Sequence, residues 1–288
     1  MSETNSIKSS EPNTFKKNLK RVTTTFLILL TTFLLAHFLR LFLENVFCHE
    51  LGHTTKFTFN KVFAYPQDPA YWGKKQVVYI YAVPSIICLI LSIFILYVLR
   101  KNRNPATLLK FFFMWLSINL SSIFFVYLII APLSFGGLNP DSVFYQGYAV
   151  VWAYFKFPEA VSLIFAVIAI ILAFVWGLII CNDLLYFSFS RRLLEKKNGK
   201  LYILRLFLLW PILLSIPFMV AISLPNFTLF LLAYSTIHLL ITAGVFFKIT
   251  SNPNHLNASK KDIANRYSFD LLLLVIVSIF LVKNLLLI

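Results

Sequence analysis

Charge is scarce in this chain. Only 13% of its 288 residues are Asp, Glu, Lys or Arg, where a soluble domain carries about a quarter. Acidic groups are scarcer still, 11 against 26 basic ones. Cysteine is nearly absent, with three residues, Cys48, Cys88 and Cys181, all in or beside apolar runs. The first shortage excludes a water-soluble globule and, with 59% hydrophobic residues, a disordered chain. The third excludes a disulfide-stapled secreted scaffold. No polar connector is long enough for a soluble domain, and no internal repeat is visible. The net charge of +15 would suggest nucleic acid in a soluble protein. Here it reads as basic loops on one side of a membrane, with no nucleic-acid partner.

What is abundant is apolar sequence in long blocks. Runs of 18 or more residues with few charges read as membrane spans. About seven are expected, near 23–47, 76–99, 108–133, 160–185, 201–224, 227–248 and 269–288. The fold class is therefore all-α, a multispan transmembrane helix bundle with a short β element after the first span. Three parts follow: a flexible basic tail over 1–22, a core of three spans over 23–160, and four further spans over 161–288. The first span is too long for a signal-peptide core and lacks a small-residue cleavage site, so it reads as an uncleaved anchor.

Two connectors stand out. Residues 56–65 alternate partly between apolar and polar, as a short strand at the membrane edge would. Residues 134–157 hold Gly136, Gly137, Asn139, Pro140 and Asp141, then an aromatic stretch to Phe157, a turn followed by interface-seeking side chains. Pro225 and Asn226 make a tight hairpin of the fifth and sixth spans, and Pro211 and Pro217 kink the fifth. Lys and Arg number eighteen in the connectors on the side of the N-terminus and five on the other. That bias puts the N-terminus in the cytoplasm and the C-terminus outside, in a multi-pass protein of a bacterial cell membrane.

The first span runs straight into Cys48-His49-Glu50-Leu51-Gly52-His53, an HExxH motif. With five His and six Glu in the whole chain, chance rarely yields that spacing. On a helix, His49 and His53 lie one turn apart on one face and can share a Zn²⁺ ion. Glu50 lies about 100° around the helix, placed to take a proton from zinc-bound water without being a ligand and to pass it to a leaving amine. Ionisable groups at the end of an apolar helix are costly, and by default functional. The bland alternative is that they cap a span at the water interface.

A catalytic zinc needs a third protein ligand, on the membrane side where the first span ends. The third span ends there too, and Asp141 follows it within Gly-Gly-Leu-Asn-Pro-Asp-Ser. Such non-helical backbone is tolerated at membrane depth where it lines a cavity. Asp141 is the choice, with Glu159 and Asp68 as runners-up on the same side. Asp183 and Glu195 fall on the opposite side.

HELGH at 49–53 in a membrane helix, with an Asp about ninety residues later after two more spans, resembles the site-2 protease family of intramembrane zinc metalloproteases. The resemblance covers roughly residues 25–160. It implies His49, His53 and Asp141 as zinc ligands, Glu50 as base, and a membrane-protein substrate cleaved in or beside the bilayer. It also implies an Asn that contacts substrate, for which Asn119 and Asn139 are both candidates. The chain departs from the family in places. Val83-Pro84-Ser85 keeps the Pro but not the Gly of a Gly-Pro pair, Asp141 is followed by Ser142 rather than Gly, and no PDZ domain is present. The family's zinc lies nearer the cytosolic leaflet, whereas the charge count puts HELGH near the outer end.

Two other functions remain open from the residues. One is a CAAX-protease type of membrane metallopeptidase, in which Glu159 would replace Asp141. The other is a zinc-binding membrane scaffold or transporter without catalysis. Among the remaining polar residues, His37 reads as a packing histidine, Glu44 as an i, i+4 partner of Arg40, and Cys48 as a packing residue. His238 reads as a histidine bonded to Ser or Thr of a neighbouring helix.

Overall fold

The structure, a computed structural model, describes residues 11–57, 62–65, 72–103, 107–134, 147–188, 199, 202, 205–222 and 228–251. The chain is mostly helical. Helix α1 spans Glu11–Glu50, α2 Lys74–Tyr81, α3 Val83–Lys101 and α4 Leu108–Ile130, and a short 3₁₀ turn follows over Ala131–Ser134. Then come α5 (Tyr148–Tyr154), α6 (Glu159–Ser188), a π-helical turn (Arg205–Leu209), α7 (Trp210–Ile222) and α8 (Thr228–Ser251).

Five helices are long and apolar enough to cross a membrane: Asn18–Glu50, Val83–Lys101, Leu108–Ile130, Glu159–Phe187 and Leu232–Ser251. Of the fifth expected span, 201–224, the described part is the π-helical turn leading directly into α7, which holds Pro211 and Pro217, in keeping with proline's disruption of the helical ladder. The seventh expected span, the hairpin turn at Pro225 and Asn226, Asp68, Asn139 and Asp141 all lie outside the described residues.

Three expectations change in detail. The polar head, expected to be a flexible tail through residue 22, is helical from Glu11 onward and continuous with α1. The second span begins as a broken helix. The chain turns at Ala82, and α3 restarts with Pro84 in its first turn, where proline's missing N–H costs nothing. Where one strand was expected over 56–65, the chain makes two: β1 (Thr54–Phe57) pairs antiparallel with β2 (Val62–Tyr65), Thr54 opposite Tyr65 and Phe57 opposite Val62.

Hydroxyls are plentiful inside α1 and α4, and in an apolar setting partners are scarce; Thr25 Oγ1 has none among the described residues. Several bond back along their own helix: Thr31 Oγ1 to the Leu27 carbonyl at 2.8 Å, Thr32 Oγ1 to that of Ile28 at 2.7 Å, and Ser122 Oγ to that of Ile118 at 2.8 Å. Others tie helices together. Ser92 and Ser117 bond each other's carbonyls across α3 and α4, at 2.7 and 3.0 Å. Buried α4 is the centre, packed by α1, α3, α6 and α8.

Helices α6 and α8 cross at two glycines. A Cβ on Gly177 would lie 2.1 Å from the Ile241 carbonyl oxygen, and one on Gly244 2.2 Å from that of Phe174. Ala169, Ala173, Gly177 and Cys181 recur every four residues and make α6 narrow along that seam, the packing that lets membrane helices approach closely.

Candidate functional site

Helix α1 ends inside the motif, at Glu50. The Gly52 amide bonds the His49 carbonyl at 3.0 Å, and the His53 amide bonds that of Cys48 at 2.9 Å. Gly52 has φ +82°. This is a Schellman cap with glycine in the left-handed position. No atom lies within 4 Å of where a Cβ on Gly52 would sit, so the backbone angle, not crowding, calls for glycine there. The expectation that His49 and His53 project from one face of a continuous helix is therefore corrected. His49 belongs to the last helical turn, and His53 lies beyond it, on the extended lead into β1.

The two imidazoles have different surroundings. His49 and Glu50 are exposed. His49 Nε2 lies 3.0 Å from Thr55 Oγ1, and that hydroxyl donates to Asn45 Oδ1 at 2.6 Å. Because the Thr55 proton goes to Asn45, Nε2 of His49 is the donor, and the lone pair sits on Nδ1. A polar partner that fixes the tautomer in this way is the usual surrounding of a metal-binding histidine. His53 is buried, its ring stacked on Trp72 at 4.6 Å and 17°. Its Nε2 is buried and has no hydrogen-bond partner among the described residues. Trp72 in turn stacks on Tyr81 at 5.7 Å, and its carbonyl accepts from the Tyr154 hydroxyl.

Among the described residues no three His, Cys, Asp or Glu side chains gather as a metal would require. Glu159, exposed at the start of α6, thus does not complete a set with the two histidines. Asn119 is fully buried in α4. Its Nδ2 donates to Thr32 Oγ1 at 2.6 Å and to the Leu29 carbonyl at 3.2 Å, and its Oδ1 accepts from the Tyr234 hydroxyl. Both ends of that amide are spent holding α1 and α8 against α4, so a substrate contact there would have to break these bonds.

Asn45, Thr55 and Trp72 were missed from sequence. Asn45 had a signal, since it stands four residues before His49 on the same helical face. Thr55 and Trp72 had none, because the reversal at Gly52 and the return of the chain after the hairpin bring them in. Of the other polar residues, Arg40 and Glu44 form the i, i+4 ion pair expected, fully buried, with the Arg40 guanidinium 4.4 Å over the Tyr127 ring. His37 is buried against Phe33 and Phe230. His238 packs between Trp115 and Tyr234, and its Nε2 has no partner among the described residues, so the expected bond to Ser or Thr through that nitrogen is not made.

Among the described residues outside the spans, Tyr148 is the group whose titration is displaced. Burial pushes its phenol up to about 12, partly offset by a hydrogen bond with Ser85. Compared with protein-family models, curated proteins and solved structures, the chain matches none.

Proposed function

We propose that the chain is an intramembrane zinc metallopeptidase, with His49, His53 and Asp141 as ligands and Glu50 as general base, acting on membrane-protein substrates. The observation that carries this is the unspent His53 Nε2. A buried polar atom without a partner costs about 1–3 kcal/mol, and a metal ligated there removes that cost. The donor types, two imidazoles and a carboxylate, are ones zinc takes. One imidazole nitrogen of each histidine is unspent, the His49 tautomer is fixed by Thr55 and Asn45, and a carboxylate is a common third ligand. When bound, zinc supplies Lewis acidity and makes water acidic enough to yield hydroxide near neutral pH.

The chain's own residues do the rest. Glu50, exposed beside His49, takes the proton of the attacking water and returns it to the leaving amine. The stack of His53 on Trp72 keeps the His53 ring out of water. The N-terminus is cytoplasmic in this proposal. Four of the five span ends on the side where α1 begins carry Lys or Arg, namely Lys20 and Arg21, Arg100 and Lys101, Lys110, and Lys248.

The test is metal analysis of purified full-length protein alongside hydrolysis of a transmembrane peptide. Zinc near one per chain is expected in the parent and in Glu50→Gln, with cleavage lost in the latter. Zinc is expected to be lost in His49→Ala, His53→Ala and Asp141→Asn and kept in Glu159→Gln. A parent without zinc overturns the proposal. Loss of zinc in Glu159→Gln and not in Asp141→Asn moves the third ligand to Glu159. A Glu50→Gln protein that cleaves like the parent removes the base assignment.

A further inference from the structure

At the end of the bundle where α1 begins, two arginines converge on one carboxylate. Arg100, in the last turn of α3, places Nε and Nη2 at 2.9 and 2.8 Å from Asp183 Oδ2, and Nη2 also reaches the Ile179 carbonyl at 3.1 Å. Arg103, just past α3, places Nη2 2.8 Å from Asp183 Oδ1, and its guanidinium lies 5.2 Å over the Tyr186 ring. Asp183 is 1% exposed, whereas the Arg100 and Arg103 side chains are 46% and 33% exposed. Two positive charges therefore share one buried negative charge, and one net positive charge is held in place at the membrane edge. Arg103 Nε is buried with no partner among the described residues. The bonds to Asp183 and Ile179 use Nε and Nη2 of Arg100 and Nη2 of Arg103, which leaves further N–H groups of both guanidinium forks to donate elsewhere.

The surroundings show what would use the surplus charge. Helices α3 and α6 each pack on α4, and the Arg100–Asp183 bridge joins them at one end. Ile93, Tyr97 and Arg100 share a face of α3 by helical spacing, as Val175, Ile179 and Asp183 do on α6. The apolar members of both stripes are exposed, Tyr97 at 61% and Ile179 at 42%. The guanidinium pair thus caps two apolar stripes that run about 10 Å into the hydrocarbon layer. A fixed cation at the edge with apolar surface beneath matches a molecule with an anionic head and long apolar tails.

We propose that Arg100 and Arg103, held by Asp183, form a headgroup site for an anionic phospholipid whose acyl chains lie along the α3 and α6 stripes. The phosphate oxygens accept from the outward N–H groups of Arg100 and Arg103, whose side chains are part-exposed, in the fork geometry guanidinium offers phosphate. Basic pockets between membrane helices recognise such headgroups, at a gain per cation equivalent to about fivefold in affinity. Asp183 aligns the two forks before the lipid arrives and leaves the surplus charge that selects an anion.

The test is native mass spectrometry of the full chain in non-ionic detergent. Phosphatidylglycerol and phosphatidylcholine with the same acyl chains are added in parallel, with inorganic phosphate as a third arm. Preferential retention of phosphatidylglycerol is expected, weakened about fivefold in Arg103→Gln, which leaves Arg100 on Asp183. Lys156→Gln, a cation at the opposite end, should leave retention unchanged. Arg103→Lys, which keeps the charge without the fork, should fall between parent and Arg103→Gln, and serves if the latter does not fold. Equal retention of both lipids, or unchanged retention in Arg103→Gln, overturns the proposal. Displacement of phosphatidylglycerol by millimolar inorganic phosphate shows a site for the free anion and overturns the lipid assignment.

Discussion

Replacing Gly177 with alanine tests the tightest packing in the bundle. In a lone helix this change is favourable by about 1 kcal/mol. Here the added Cβ would lie 2.1 Å from the Ile241 carbonyl oxygen, 2.9 Å from its carbon and 3.1 Å from the Gly244 Cα, all backbone atoms that cannot rotate away. An ordinary carbon–oxygen contact is about 3.3–3.6 Å, so α6 and α8 must part by about 1.2 Å at the crossing. A gap of that order forfeits a quarter to a half of each dispersion contact, and about 50 atom pairs at about 0.15 kcal/mol each then lose roughly 2–4 kcal/mol. Subtracting the propensity gain leaves a net loss of about 2 kcal/mol, in the usual range for overpacking. The assay is reversible unfolding in mixed micelles by titration with a denaturing detergent, followed by far-ultraviolet circular dichroism. Gly244→Ala acts on the same crossing, since its Cβ would lie 2.2 Å from the Phe174 oxygen. The double variant should therefore lose at least about 1 kcal/mol less than the sum of the singles. A Gly177→Ala protein as stable as the parent, or more so, would refute the close crossing.

Other outcomes follow from local geometry. Arg40→Leu alone should cost about 3–5 kcal/mol by leaving the Glu44 charge in the apolar interior, while Arg40→Leu with Glu44→Leu should be near neutral; the same unfolding assay separates them. Lys156 holds φ +53° at the end of α5, where its amide bonds the Ala153 carbonyl at 3.2 Å, so Lys156→Gly should stabilise by about 1 kcal/mol, read as a higher melting temperature. Tyr148 titrates near 12 in the folded chain against about 10 when unfolded. The stability this contributes is fully present below pH about 10 and is lost as pH rises towards about 12. Tyr148→Phe should flatten that alkaline decline, as seen in melting temperature against pH.

The sequence displayed the helices because apolar content and run length depend on composition alone, and a bilayer admits few other structures. It displayed the Arg40–Glu44 pair because i, i+4 spacing is local. It displayed Gly52 only as a residue type. The helix stop had a cue, glycine just after the last turn with histidine before it, but the HExxH spacing argued for continuing the helix, and the glycine's left-handed preference prevailed. His238 shows the opposite limit: its neighbours Trp115 and Tyr234 come from packing, and no spacing rule names them.

The sequence by itself determined that the chain is a membrane helix bundle with its Lys and Arg concentrated in particular connectors, and that His49, Glu50 and His53 fall within five residues at the end of a long apolar run. These are properties of neighbours along the chain, fixed by propensity, run length and charge count. Only the tertiary structure decided that Thr55 and Asn45 set the tautomer of His49, that Trp72 buries His53 with an unspent nitrogen, and that two arginines of α3 and its end share Asp183 of α6. Each of those joins residues through turns and helix crossings, and where side chains end up there depends on the backbone angle at Gly52 and on how closely α3 and α6 approach α4, quantities that composition and periodicity do not contain.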